Sequence, residues 1–240
     1  MKKSSVTMKF RIVFLLFISS CIACMRDEQA LTPPINNNPD TKKGLTYLAL
    51  GDSYTIGQSV SEDQRWPVLF ARSMTSNGTI VANPDIIAKT GWTTANLLNN
   101  VSSVNTAKPY DLVSLLIGVN NQYQGLSLEQ YRTEFRALLA KSIHYAGGRS
   151  NHVFVLSIPD WGATPAGSGA REVISREIDR FNAVAKEECL KEKILFIDIT
   201  PISRKALNDI TLVADDHLHY SGKMHQLWVD EAIPYVKQLL

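Results

Sequence analysis

Thr46-Tyr47-Leu48-Ala49-Leu50 runs into Gly51-Asp52-Ser53. A short apolar run stopped by glycine reads as a buried strand, and the residues after it as a strand-to-helix turn. The same form recurs along the chain. Strands are predicted at Asp85–Ala88 before Gly91, Tyr110–Ile117 before Gly118, His152–Ile158 before Pro159, and Lys193–Asp198. Helical spacing is predicted between them. Trp66, Leu69 and Phe70, with Met74 one residue beyond, mark one helix in Glu62–Ser73, with Pro67 near its start. Thr94–Val101 is a second. Ser127 and Gln130 form a capping box that opens a third, running to Gly147-Gly148. Arg171–Leu190 is a fourth, and Ser221 caps the last. Strand and helix in alternation predict one parallel sheet covered by helices on both faces. Sites in such sheets lie past the C-terminal ends of the strands.

The chain has 240 residues, 45% apolar and 20% charged. That composition excludes a disordered, collagen-like or polytopic membrane chain. Three cysteines are too few for a disulfide scaffold. The net charge of +2 comes from the first 20 residues, where Lys2, Lys3, Lys9 and Arg11 face no acid. Without those four, 21 basic residues stand against 23 acidic ones. Such a body gives no electrostatic case for nucleic acid.

The basic start is followed by the apolar run Ile12–Ile18, shorter than the ~20 residues that span a bilayer. This is the pattern of an export signal. Ile18-Ser19-Ser20-Cys21 resembles a bacterial lipobox, which implies lipidation at Cys21. Cys24 is a second candidate, and an ordinary cleaved signal is the competing reading. The expected organisation is a signal peptide over residues 1–20, a lipidated N-terminus and flexible tether over 21–44, and one folded domain over 45–240. The tether reading rests on Pro33, Pro34, Pro39 and the run Asn36–Asn38. The expected location is a bacterial envelope membrane, held by the lipid.

Chemically apt residues follow the strands. Ser53 lies after the first. Gly91 follows the second, and Gly118-Val119-Asn120-Asn121 the third. A glycine N–H and an asparagine amide are neutral donors, the kind an oxyanion needs. Between the last strand and last helix lies Asp215-Asp216-His217-Leu218-His219-Tyr220. A serine hydroxyl needs a base, and histidine is suited to neutral pH. By composition either histidine serves. Asp216 and His219, three apart, place acid and base in one loop.

Gly51-Asp52-Ser53 with Gly57, then Gly91, then Gly118-x-Asn120, then Asp216-x-x-His219 resemble the four blocks of the GDSL-type SGNH hydrolases. They occur in family order and cover residues 46–240. The resemblance implies a three-layer α/β/α sandwich with a five-stranded, flavodoxin-like parallel sheet. It implies Ser53 as nucleophile, His219 as base and Asp216 as its orienting acid. The oxyanion hole would be the Ser53 and Gly91 N–H groups and the Asn120 side chain. Two positions depart from the family pattern: Asn121 stands where an aspartate is usual, and Tyr220 where proline is usual.

The expected activity is hydrolysis of short acyl esters, acetyl foremost, through an acyl-enzyme, with no metal or organic cofactor. The substrate would be a small-molecule or glycan ester, and the membrane the other partner, through the lipid. A lysophospholipase or thioesterase of the same fold is the alternative. Two rivals belong to other classes. One is a metallohydrolase using Asp215, Asp216, His217, His219 and His225. The other is a non-catalytic ligand-binding lipoprotein, with Trp66, Trp92, Trp161 and Tyr123 as candidate sugar-stacking rings. The segment Pro159–Gly169, rich in glycine and proline, is expected to be a loop, and no apolar lid is evident. Cys189 reads as a free thiol, and His144 and His152 carry no role.

Overall fold

A computed structural model describes residues 44–101 and 108–240. The expected signal peptide, Cys21, Cys24 and the expected tether up to residue 43 lie outside the described residues. The elements in chain order are β1 (Tyr47–Gly51), α1 (Ser53–Ile56), α2 (Trp66–Ser76), β2 (Asp85–Ala88), α3 (Thr94–Val101), β3 (Leu112–Leu116) and α4 (Val119–Tyr123). They continue with α5 (Leu128–Tyr145), β4 (Val153–Leu156), α6 (Arg171–Lys191), β5 (Leu195–Ile197), α7 (Thr200–Ser203) and α8 (Gly222–Val236).

All five strands are parallel, in the order β2-β1-β3-β4-β5. This is the flavodoxin-like arrangement, α/β with helices on both faces. Helices α2 and α8 pack together, as do α3 with α5 and α5 with α6. Strands β1, β3 and β4 are buried along their whole length, which is why they read as continuous apolar runs. The edge strands β2 and β5 are only partly covered. Within the sheet, the Tyr47 hydroxyl meets the Ser114 hydroxyl at 2.8 Å, so neither polar group is stranded.

Three local features differ from the sequence reading. A short extra helix, α4, follows β3 directly, so this crossover holds two helices instead of one. Pro159–Gly169 is not an irregular loop. It winds into 3-10 turns at Trp161–Ala163 and Pro165–Ala170. The Asp160 side chain caps the first by accepting the Gly162 N–H. At Ser127 the box is half made: its hydroxyl accepts the Gln130 N–H, but the Gln130 amide turns to Glu134.

Close approach explains two glycines. A Cβ at Gly51 would lie 2.1 Å from Thr55 Oγ1 and 2.5 Å from the Leu116 carbonyl. Gly118 has φ +130°, and a Cβ there would meet Tyr131 at 2.7 Å and Ile158 at 2.8 Å. The turn after β3 therefore depends on glycine for both backbone and space. Gly118→Ala is expected to lower stability by about 2–4 kcal/mol, backbone strain and overpacking together. Urea unfolding of the variant checks this, and an unchanged midpoint would refute it.

Candidate active site

Strand order reverses at β1: the chain leaves it toward β2, then returns to β3 on its other side. At such a reversal adjacent loops diverge and leave a crevice beyond the strand ends. The crevice here has a volume of about 190 Å³. Ser53, Tyr54, Gly91, Asn120 and His219 line it, together with Tyr123 and Trp161. Four residues picked from separate stretches of sequence thus meet in one place.

Ser53 opens α1 directly after β1 and is 4% exposed. The preceding Asp52 caps that helix by accepting the Tyr54 N–H at 3.0 Å. His219 is held by Asp216. Its Nδ1 lies 2.6 Å from Asp216 Oδ2, while Asp216 Oδ1 accepts the N–H groups of Leu218 (3.0 Å) and His219 (2.8 Å). Partial burial alone would raise the Asp216 carboxyl. The Ser59 hydroxyl, those two N–H groups and the His219 ring outweigh it and hold the carboxyl well below its usual range. A carboxylate can only accept, so Nδ1 carries the hydrogen and Nε2 is left to take a proton.

His217 has no part in this pairing. Its backbone is left-handed at φ +61°, and its side chain lines a separate groove of about 470 Å³ with Asp215, Thr211 and Ser221. His225 is buried, with Nδ1 2.9 Å from the Gln64 carbonyl, and burial pushes its imidazole down to about 4. Among the described residues, no three His, Cys, Asp or Glu side chains group as metal ligands. The five residues of the metallohydrolase reading do not converge.

The Asn120 amide donates to the Trp92 carbonyl at 3.0 Å, which fixes its plane and leaves a second N–H. Asn121 is fully buried and faces away from the crevice. It accepts the Thr94 N–H at 3.0 Å and donates to the Thr94 hydroxyl at 2.6 Å. That hydroxyl in turn donates to Glu134. An aspartate could accept both hydrogens of Thr94, but could not donate and so free the hydroxyl for Glu134. Asparagine at this position is therefore matched to its partners. Tyr220 is also buried, and its hydroxyl donates to the Asp160 carbonyl at 2.6 Å. It ties the histidine loop to the turn after β4.

Several positioning groups carry no local sequence signal. Tyr54 stands edge-on to the His219 ring at 5.7 Å. Asp160 is buried and gathers the Gly162 N–H, the Ser175 hydroxyl at 2.6 Å and Arg204 at 2.8 Å. Next to it, Trp161 donates to Gln122 at 2.7 Å and lies 5.3 Å from the Tyr123 ring. Of the four rings considered for sugar stacking, Trp161 and Tyr123 face the crevice. Trp66 is core, and Trp92 packs against the core with its carbonyl spent on Asn120. Cys189 is a buried free thiol that burial pushes up to about 12.

Asp52 is fully buried, and its Oδ2 makes no hydrogen bond. Burial pushes its carboxyl up to about 7, against the pull of the Tyr54 and Gly118 N–H groups. The folded state then binds this proton more tightly than the unfolded state. Its contribution to stability is fully present below about pH 4 and lost as pH rises to about 7. Asp52→Asn keeps the cap and cannot titrate. It should flatten this part of the stability–pH curve, measured by urea midpoints across that range. An unchanged slope would refute the assignment.

Residues 49–227 match the GDSL-like lipase/acylhydrolase family. No curated protein sequence is matched. Among solved structures, TesA is 19% identical with a TM-score of 0.63, covering 81% of this chain and 99% of its own. The esterase EstA from Pseudoalteromonas sp. is 18% identical with a TM-score of 0.62, covering 81% and 97%. A variant of Axe2, an acetyl xylan esterase from Geobacillus stearothermophilus, is 18% identical with a TM-score of 0.62, covering 81% and 95%. These likenesses show a shared fold, and the family match spans three-quarters of the sequence. The chain is an ester hydrolase and belongs to the GDSL-like lipase/acylhydrolase family.

Proposed function

We propose that this hydrolase cleaves short acyl esters, acetyl foremost, from a carbohydrate or similar polar alcohol, with Ser53 as nucleophile. The observation that carries the reading is the crevice itself: Ser53 and His219 line it together, and His219 is bonded to Asp216 on its far nitrogen.

Ser53 Oγ attacks the ester carbonyl carbon as His219 Nε2 takes its proton. Asp216 fixes the imidazole tautomer and stabilises the imidazolium. The oxyanion is met by the N–H groups of Ser53 and Gly91 and by the second N–H of Asn120. His219 then gives its proton to the departing alcohol oxygen, leaving an acyl-Ser53 ester. A water takes the alcohol's place and attacks the acyl carbon as His219 takes its proton; the bond to Ser53 Oγ then breaks, His219 returns the proton to that oxygen and the acid leaves.

Size and lining support the substrate class. A crevice of about 190 Å³ is below the ~300–1,000 Å³ that enclose drug-sized ligands. Each further methylene gains about 0.8 kcal/mol only where apolar surface covers it. Trp161 and Tyr123 offer two adjacent rings in the crevice that Ser53 also lines, suited to the apolar face of a sugar. The Axe2 likeness, to an acetyl xylan esterase, agrees with this choice.

Ser53→Ala and His219→Ala are each expected to abolish hydrolysis without unfolding. Asn120→Ala should lower kcat by about 10²–10³, the effect of one oxyanion donor. In the same assay kcat/KM should peak for acyl groups of roughly two to four carbons. A rise continuing to long chains would replace this reading with a lipase or lysophospholipase. Activity retained without Ser53 would end the mechanism.

The N-terminal pattern supports an exported, lipid-anchored protein, with Cys21 as the modified residue and residues 21–44 as its tether. Cys21→Ser should move the protein from the membrane to the soluble fraction or block its maturation. Mass spectrometry of a mature N-terminus that is unmodified and starts elsewhere would overturn this.

A further inference from the structure

Between α1 and the 3-10 turn at Glu62–Gln64, two adjacent polar residues reach two groups next to the crevice, Thr90 and Asp216. Gln58 Oε1 accepts the Thr90 hydroxyl at 2.6 Å, beside Gly91. Ser59 Oγ donates to Asp216 Oδ2 at 2.6 Å, across 157 residues of sequence. That same oxygen holds His219 Nδ1 at 2.6 Å. The Gln58 N–H bonds the Ser53 carbonyl at 2.9 Å, so this segment is also tied to the turn that carries Ser53. Ser59 has φ +66°, a left-handed conformation that few non-glycine residues adopt. Such strain persists where the surroundings over-determine it, and it clusters at functional sites.

We propose that Ser59 is a positioning residue of the esterase, whose hydroxyl sets the direction and effective charge of the Asp216 carboxylate that orients His219. This rests on the reading of Asp216 and His219 as orienting acid and base. An oxygen shared by two donors at 2.6 Å cannot swing away from the imidazole. The Ser59 hydrogen bond also draws off part of its negative charge. The imidazolium formed in the first step is then held less tightly and yields its proton more readily to the leaving alcohol. Asp216 Oδ1 stays fixed by the Leu218 and His219 N–H groups, so the loop does not need Ser59 to fold. The other titratable groups facing the pair are Tyr54 on α1 and His225 on α8. Both are buried, and the hydrogen bonds to the Asp216 carboxylate come from Ser59, Leu218 and His219 instead.

The test compares Ser59→Ala and Ser59→Gly in the full-length chain, with p-nitrophenyl acetate as substrate and His219→Ala as control. The glycine variant removes the hydroxyl and relieves the strain at once, so its folding, read by urea midpoint, should hold. Both variants are expected to lower kcat about tenfold with KM little changed, the loss of one charge-assisted hydrogen bond acting through another residue. The acid limb of kcat/KM should move to higher pH in both, because the unshared carboxylate holds the imidazolium longer. Wild-type kcat and pH profile in both variants, with His219→Ala inactive, would overturn the proposal and leave the base assignment standing. Full activity in the glycine variant and loss in the alanine variant would show a backbone role only, and also overturn it. An active His219→Ala would remove both.

Discussion

Strands β1 and β3 are buried on both faces, and the hydroxyls of Tyr47 and Ser114 satisfy one another inside them. These strands pair in parallel, and parallel pairing forces every connection to cross back over a face of the sheet. All functional turns then emerge at one end. The reversal of strand order at β1 parts two of them and leaves the crevice between. Nothing in the crevice is assembled by local sequence. Ser53 comes from the turn after β1, Gly91 from the turn after β2, Asn120 from the turn after β3, and His219 from the loop before α8. The buried sheet is what brings them to a common place.

A second layer of polar contacts holds those turns in register. Asn121 joins α4 to α3 through Thr94, and through it to Glu134 on α5. Tyr220 joins the histidine loop to Asp160, and Asp160 is braced by Ser175 and Arg204. Buried polar networks of this sort hold one arrangement because each member is costly to leave unpaired. The two departures from the family pattern are thus found at hinge points of the network, and both residues are fully partnered.

The fold was legible because its strands are enclosed and punctuated. Asp85–Ala88 and Thr94–Val101 match their predicted bounds, since a proline precedes one and glycine and threonines separate them. The block residues were legible because each follows a strand end. What stayed hidden depends on contacts distant in sequence. Ser59 finds Asp216 across 157 positions, and no local pattern announces it. Pro159–Gly169 reads as loop by composition, yet Asp160 folds its start into a helical turn by capping Gly162. Composition left His217 and His219 equivalent. A left-handed backbone at His217 and an i, i+3 pairing for His219 separate them.

The chain enters the sheet at Leu45, whose amide and carbonyl pair with Ile80 and Ala82. This is the N-terminal edge of β1, and the crevice lies past the other end. Five strand residues at about 3.3 Å each separate the two by at least some 16 Å. The described domain therefore takes in its chain at one end of the sheet and opens its crevice at the other.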